Sequence, residues 1–373
     1  MAKSRTYRQT GETQSQLALF QAANGTDQAA LTPQQALFRI RERGHYGFIN
    51  AQGLIAIEPQ FLEAEDFYNG FSRVLLNDKL VPMDKLGRLL MKRLFNQVGY
   101  FEEALAPVQL VRRWGYLDVR GNLTIEPQFE AAGYFSEGLA AVRSGGRWGY
   151  IRTDGSFAIE PQFAAADRFS GGLAPVQLAS GWGYIDPTGA LIMLLPFDAC
   201  YPFQGDVAPV RLGKKWGLAH RFSEVLVEPR FDVPEHELWG EFAEEMAVII
   251  TNNQYGFLRT DGEIIIPPQY AFAGDFSEGL APVQSHDAFG FIDKQGNMRI
   301  LPQYADAGIF SEGHAPAKKD DRWGFIDPSG EWVIPPQYDA VLPFRDGLAW
   351  TESAGRWSYI TPQGETVWAE TNP

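Results

Sequence analysis

Apolar residues in this chain come in bursts of about five, each closed by turn-forming residues, and the bursts recur at a fixed interval. Leu173-Ala-Pro-Val176 and Trp182-Gly-Tyr-Ile185 are two such bursts within one interval. That length predicts β-strands, because an amphipathic helix needs about ten or more residues to show its period. The landmark of each interval is an aromatic-Gly pair: Tyr46-Gly47, Trp114-Gly115, Trp148-Gly149, Trp182-Gly183, Trp216-Gly217, Tyr255-Gly256, Phe289-Gly290 and Trp323-Gly324. Trp357-Ser358 is a frayed ninth copy. The spacing is 34 residues, apart from a double step of 68 between Tyr46 and Trp114 and a step of 39 between Trp216 and Tyr255. The double step holds a degenerate copy at Leu80, with Phe71 at its start, Gly87 in its turn, and Phe95 and Phe101 at the later aromatic positions. Ten units therefore tile residues 37–373.

The order of parts within a unit is readable. Leu105-Ala-Pro-Val108, Leu139-Ala-Ala-Val142 and Leu280-Ala-Pro-Val283 predict a first strand, and the aromatic-Gly segment predicts a second. Between second and third strands, Asp186-Pro-Thr-Gly189 and Asp327-Pro-Ser-Gly330 carry turn chemistry: Asp bonds the backbone, Pro presets φ and Gly takes the left-handed position. The third strand runs through Ile125, Ile159 or Ile334 into Pro-Gln-aromatic, and a compact connection ends in Phe-Ser-Glu-Gly, as at Phe135 to Gly138 and Phe276 to Gly279. The glycine after each aromatic suggests a close approach of another strand to the backbone. A helical repeat of the same period is excluded, since each unit holds turn glycines and usually a proline that two helices would not tolerate.

The expected fold class is all-β: a tandem array of ten three-stranded antiparallel meanders whose aromatics are shielded only by stacking of neighbours. Thirty strands do not fit one open sheet. The chain begins on a first strand and ends after a third, so no strand exchange joins its ends. An open solenoid, with units stacked at roughly 10 Å and a length on the order of 100 Å, is therefore favoured over a closed propeller-like ring. Residues 1–36 form a polar extension or cap, with a short helix suggested around Gln14 to Ala23.

The run Trp-Gly-Tyr-Ile-Asp-x-x-Gly, then Ile-Glu-Pro-Gln-Phe, then Phe-Ser-Glu-Gly-Leu-Ala-Pro-Val resembles the bacterial WG repeat, also called the KWG repeat. The resemblance covers nearly the whole chain, and the units at Leu80 and Trp216 depart most from it, with Val81 in place of the glycine in the first. It implies that Trp114, Gly115, Trp148, Gly149, Trp182, Gly183, Trp216, Gly217, Trp323 and Gly324 are structural positions, and that the protein mediates interactions without a shared set of catalytic residues.

Composition narrows the function classes. A net charge of -14 disfavours nucleic acid and anionic membranes as partners. The single cysteine, Cys200, forms no internal disulfide, which fits a reducing, cytoplasmic setting. No run reaches the length of a membrane-spanning helix. Repeated carboxylates, Glu126, Glu160 and Glu228 before Pro and Glu137, Glu278 and Glu312 in the Ser-Glu-Gly turn, fit a shared structural role better than the single pair a glycosidase requires. The histidines, His45, His220, His236, His286 and His314, fall at unrelated template positions without ligand spacing. Phosphate-loop, dinucleotide and nucleophile-elbow motifs are absent, so no enzyme, cofactor or metal site is expected.

Two departures from the template are the candidate partner-binding sites. One is the five-residue insertion within 232–241, which offers Glu237, Leu238 and Trp239 as an aromatic anchor in an acidic rim. The other is the degenerate unit, locally basic through Lys79, Lys85, Arg88, Lys92 and Arg93, with a short helix expected through Leu89, Leu90, Met91 and Leu94. Basic residues before the tryptophans (Arg113, Arg147, Lys215, Arg322, Arg356) suggest cation–π packing between units. Trp239, Trp332 and Trp350, outside the Trp-Gly register, are the aromatics most suited to exposure. The leading expectation is a scaffold for an unknown protein partner; the alternative is a carbohydrate- or peptidoglycan-binding module using exposed aromatics.

Overall fold

The computed structural model describes residues 35–233 and 241–371. These form thirty-six strands in ten separate antiparallel sheets, one per unit, with no helix among the described residues. Seven sheets have four strands, two have three and one has two. The fourth strand is a two- to six-residue segment of the connection, such as Gln97–Val98, which pairs with the first strand of its own unit. The unit is thus the expected meander with one added strand at its inner edge. The extension at residues 1–34, the helix suggested there, and the insertion residues 234–240 lie outside the described residues.

The unit of Leu139–Ser144, Arg147–Arg152 and Phe157–Phe163 shows why the sequence is built as it is. Trp148 pairs with Phe163 but Tyr150 pairs with Ile159, so the third strand carries two extra residues across this step. Glu160-Pro161-Gln162 stand opposite Gly149 alone and bulge over the second strand there. A Cβ there would lie 2.5 Å from the Ile159 carbonyl oxygen and 2.7 Å from the Pro161 nitrogen, so only glycine fits. The expectation of a close backbone approach holds, and the proline of the bulge also blocks pairing at the outer edge.

The core lies between sheets. One cluster joins Leu105, Tyr116, Ile125 and Phe129 of one unit to Phe135, Ala140, Val142 and Ile151 of the next, and another joins Tyr150, Ile159 and Phe163 to Phe169, Val176 and Ile185. Each such side chain contributes about 1.5–3 kcal/mol on burial, which a lone unit would forgo. The buried tyrosine hydroxyls are satisfied across the same interface: Tyr116 donates to Gly133 O at 2.8 Å, Tyr150 to Asp167 O at 2.7 Å and Tyr184 to Tyr201 O at 2.8 Å. Burial pushes the pKa of all three phenols well above the ordinary tyrosine value.

The array does not stay open: the last unit packs on the first. Along the chain, turn glycines rest on the third strand of the unit before, as Gly155 does on Ile125 and Gly189 on Ile159. Gly53 of the first unit makes the same contact with Val367 of the last. Tyr359 donates to Arg39 O at 2.8 Å, and Phe38 and Tyr359 meet at 5.4 Å between ring centroids. Arg41 grips the buried Glu370 carboxylate through Nε at 2.8 Å and Nη2 at 3.0 Å, while Thr371 donates to both oxygens of Glu42 at 3.0 Å. The physical reason is a wedge. Several inner strands carry small side chains (Ala131-Ala132-Gly133, Ala165-Ala166, Ala307-Gly308), which permit closer approach of sheets than the tryptophan, phenylalanine and isoleucine of the outer strands do. Ten wedges bring the chain back to its start.

The degenerate unit keeps only two paired strands, Phe71–Leu76 and Lys79–Asp84. No helix forms beyond them. Leu89, Leu90 and Met91 are buried and occupy the place of the third strand, with the Leu90 backbone against Gly121 of the next unit. Stacking between neighbours decides their conformation, overriding their helical propensity.

Candidate functional site

The connections line the inner face of the ring. Their hairpin turns place a non-glycine residue in the left-handed region, with Glu137 at φ 54° and Glu278 at φ 54°. Each glutamate reaches the next turn: Glu103 accepts from Glu137 N at 2.6 Å and Gly138 N at 2.9 Å, and Glu137 accepts from Gly171 N at 2.7 Å and Gly172 N at 2.9 Å. Glu278 and Glu312 repeat the contact with Gly313 and Gly347. The serines form a parallel series, with Ser136 donating to Phe169 O at 2.8 Å and Ser277 to Phe310 O at 2.7 Å. The Ser-Glu-Gly motif is therefore a belt of hydrogen bonds between neighbouring turns, the structural role its repetition suggested.

Two residues before this serine position, which Tyr68, Glu102, Gln204 and Arg345 occupy in other units, chemistry varies from unit to unit: Asp66, Tyr100, Tyr134, Arg168, Pro202, Asp275, Ile309 and Pro343. A cavity of about 710 Å³ is bounded by Arg39, Glu65, Asp66, Phe67, Tyr68, Tyr100, Glu102, Tyr134, Arg168 and Arg345, drawn from six units. A convex outer edge would splay equivalent positions of successive units apart. Their convergence, and the reach of the Arg168 charge to the Tyr68 hydroxyl three units away, mark this wall as the concave centre.

The electrostatics of the wall are uneven. Glu65 is held by Arg73 in a bidentate pair at 2.6 and 2.7 Å, and the Arg73 guanidinium lies 3.9 Å from the Tyr100 ring centroid. Asp66 faces Arg39 at 3.5 Å. Glu102 accepts from the Tyr68 hydroxyl at 2.9 Å and from Asn69 at 3.1 Å, and that bond raises the Tyr68 pKa. Burial raises that of Tyr100. The Arg168 guanidinium, by contrast, makes no hydrogen bond or ion pair among the described residues, and Arg345 has only a 3.8 Å contact with the adjoining Asp346. Tyr68 and Tyr134 are 50% and 40% exposed, enough ring face for a ligand to cover. A second cavity of about 360 Å³ shares Asp66 and Arg345 with the first, and its remaining wall is largely apolar: Phe38, Ile309, Leu342, Pro343, Phe344 and Trp350 contribute to it.

The sequence-level candidates fall elsewhere. Glu237, Leu238 and Trp239 lie outside the described residues. The basic cluster is present, but four of its five members are engaged by their own chain: Lys85 with Gln35 O at 2.8 Å, Arg88 with Asp84 at 2.7 Å, Lys92 with Asn122 at 2.9 Å, and Arg93 with Glu126 at 3.6 Å. Of the cations preceding the tryptophans, Arg113 donates to Gln128 O, and Lys215 and Arg322 pair with Asp232 and Asp339. They tie the second strand to the end of the third rather than stacking between units as expected. Trp332 is half-buried against Tyr304, and Trp350 is half-buried on the interface that closes the ring. Trp216 is buried, and Trp114, Trp148, Trp182 and Trp323 are half-buried. No group of three or more His, Cys, Asp or Glu among the described residues is arranged to hold a metal.

A family model described as WG containing repeat matches residues 46–79, 114–148, 148–180, 182–216, 255–287, 289–323 and 323–357. The chain belongs to the WG repeat family. No curated protein matches this WG repeat chain. Among solved structures it is similar to a crystal structure of the eukaryotic initiation factor, 12% identical over 90% of this chain and 96% of that one, with a TM-score of 0.54. BamB from Moraxella catarrhalis aligns at 11% identity over 91% of this chain and 95% of that one with a TM-score of 0.33. Hsv2p of Kluyveromyces lactis aligns at 10% over 62% and 91% with a TM-score of 0.37. The first likeness concerns the fold alone, and the other two carry no argument. The WG units thus supply a repeat scaffold, and the variable inner positions are what distinguishes one unit from another.

No template break marks the inner wall, because Tyr100, Tyr134 and Arg168 keep the repeat spacing of 34 residues. The usable signal was a position that keeps its place in every unit while changing its chemistry.

Proposed function

We propose that this WG ring is a non-catalytic scaffold that binds another protein through its concave centre. The observation that carries this reading is the convergence of Tyr68, Tyr100, Tyr134 and an unpaired Arg168 from four successive units onto one cavity, beside an apolar one. Half-exposed tyrosines and arginines are the residues that dominate protein interfaces, because they combine large area with few rotamers to freeze. A fixed backbone belt with freely varying side chains is also how repeat proteins diversify a binding face. The buried Cys200 thiol, whose pKa burial pushes up to about 12, suits a cytoplasmic setting in which it stays reduced and unreactive.

The exposed tyrosines also support the glycan reading, since sugar rings stack on aromatic faces. The apolar cavity beside them weighs against it, because Ile309, Leu342 and Phe344 offer a sugar no hydrogen bonds. The test is a quantitative pull-down from native lysate with the intact ring and with a Tyr134→Ala, Arg168→Ala variant. Proteins retained by the first and lost by the second bear the proposal out. Equal recovery on both would refute it, as would retention of polysaccharide in place of protein.

A further inference from the structure

We infer that the occupant of the ring centre is an extended acidic peptide segment in which a carboxylate side chain neighbours an apolar one. This rests on the protein-binding reading above and specifies its chemistry. The chain carries a net charge of -14, yet on this wall the acids already have partners: Glu65 and Asp66 pair with Arg73 and Arg39, and Glu102 accepts hydrogen bonds from the neutral Tyr68 and Asn69. Two of its cations lack such a partner. Arg168 has no partner among the described residues, and Arg345, 55% exposed, has only its weak contact with Asp346. A ligand entering here meets two guanidinium groups with open hydrogen-bonding capacity, so a carboxylate is favoured at contact although the acidic surface around it repels anions at longer range. Guanidinium groups prefer planar carboxylates, which they bind in two parallel hydrogen bonds.

The second half of the argument is continuity. Arg345 and Asp66 border both cavities, so a group held at Arg345 places its neighbour at the apolar wall of Ile309, Leu342 and Phe344. Ile309 and Leu342 are 38% and 54% exposed, apolar surface that a partner's side chain would cover. On the other side of Arg345 stand Tyr68 and Tyr134. A carboxylate next to an apolar side chain satisfies both cavities with one short segment, which a uniformly polar acidic sugar does not. In an extended chain successive side chains point to opposite sides, so alternating acidic and apolar residues would face the two walls at once.

The experiment uses the full chain and a fluorescence-anisotropy array of hexapeptides in which Glu is permuted with Leu, Ile or Phe. A matching array has Gln for Glu, and hexagalacturonate serves as a carbohydrate probe. The proposal expects binding that favours the Glu array, weakens as salt rises, and falls about tenfold in Arg168→Ala, the loss of one charged hydrogen-bonding partner. Leu342→Ser should weaken the Leu, Ile and Phe dependence while leaving the Glu preference intact. Arg168 and Leu342 are exposed, and an unchanged thermal midpoint in each variant confirms that the ring is folded. Equal affinity for the Gln array overturns the acidic chemistry and leaves the protein-binding reading standing. Binding of hexagalacturonate with none to either peptide array overturns both. No binding by any probe overturns the acidic-apolar segment, and the pull-down then decides the broader reading alone.

Discussion

Removing the Arg41 side chain should cost far more than removing an ordinary surface arginine, because Arg41 joins the two ends of the ring. Its partner Glu370 has a side chain with 0% exposure, and that carboxylate is held by Arg41 Nε at 2.8 Å, Arg41 Nη2 at 3.0 Å and Trp357 N at 3.1 Å. The guanidinium also stacks 4.8 Å from the centroid of the Trp357 ring. In Arg41→Ala the carboxylate stays buried with one donor of the three. Breaking a buried pair in this way costs about 3–5 kcal/mol. Arg41 is 27% exposed and water can partly replace it, which places the expected loss near 3 kcal/mol, about 0.5–1 of it from the lost cation–π contact. The assay is urea unfolding followed by tryptophan fluorescence, with Arg143→Ala as control. Arg143 meets Glu130 at 3.7 Å with both side chains partly exposed, and its loss should cost under about 1 kcal/mol. A double-mutant cycle with Glu370→Ala should return a coupling of about 2 kcal/mol. Small-angle scattering supplies an independent check, since a closed ring excludes a particle on the order of 100 Å long, the length of ten units stacked at about 10 Å. Equal losses for Arg41→Ala and Arg143→Ala, or scattering from a rod of that length, would refute closure through this contact.

Further outcomes follow from the same contacts. Gly149→Ala should destabilise by about 2–3 kcal/mol, because the new methyl lies 2.5 Å from the Ile159 carbonyl. Gly133→Ala, whose Cβ would sit 3.4 Å from the nearest atom, should cost under about 1 kcal/mol in the same denaturation series. Glu137→Ala removes the acceptor for two N–H groups of the next turn and should lower stability by about 1 kcal/mol, measured as a shift in the urea midpoint. The turn aspartate Asp327 is held below the ordinary carboxylate range by the Ser329 hydroxyl and by backbone N–H donors. A depressed folded-state pKa gives stability that is complete above the unfolded value near 4 and is lost as pH falls through the folded one. Thermal midpoints of wild type and Asp327→Asn should therefore differ at pH 7 and converge as pH falls below about 4; a constant difference would contradict this. Cys200 should resist alkylation at pH 8 in the folded ring and react on unfolding, because burial pushes its thiol up to about 12.

Much of the architecture was written in local pattern. The 34-residue interval, the strand order within a unit, the Asp-x-x-Gly turn and the glycine under the Pro-Gln bulge are all properties of short stretches, and short-range geometry enforces each of them. Hence the sequence alone determined an all-β tandem repeat and the structural role of Trp-Gly and Ser-Glu-Gly. Closure did not lie in any one stretch. It depends on the small difference between Ala131-Ala132 at the inner edge and Trp148 or Phe163 farther out, multiplied over ten units, and on Arg41 meeting Glu370. The conformation of Leu89 to Met91 likewise came from a neighbour's surface, which their own propensity does not encode. The inner wall is tertiary in the same sense. Tyr100, Tyr134 and Arg168 are separated by whole units of sequence, and only the curvature of the ring turns one variable position per unit into a shared cavity.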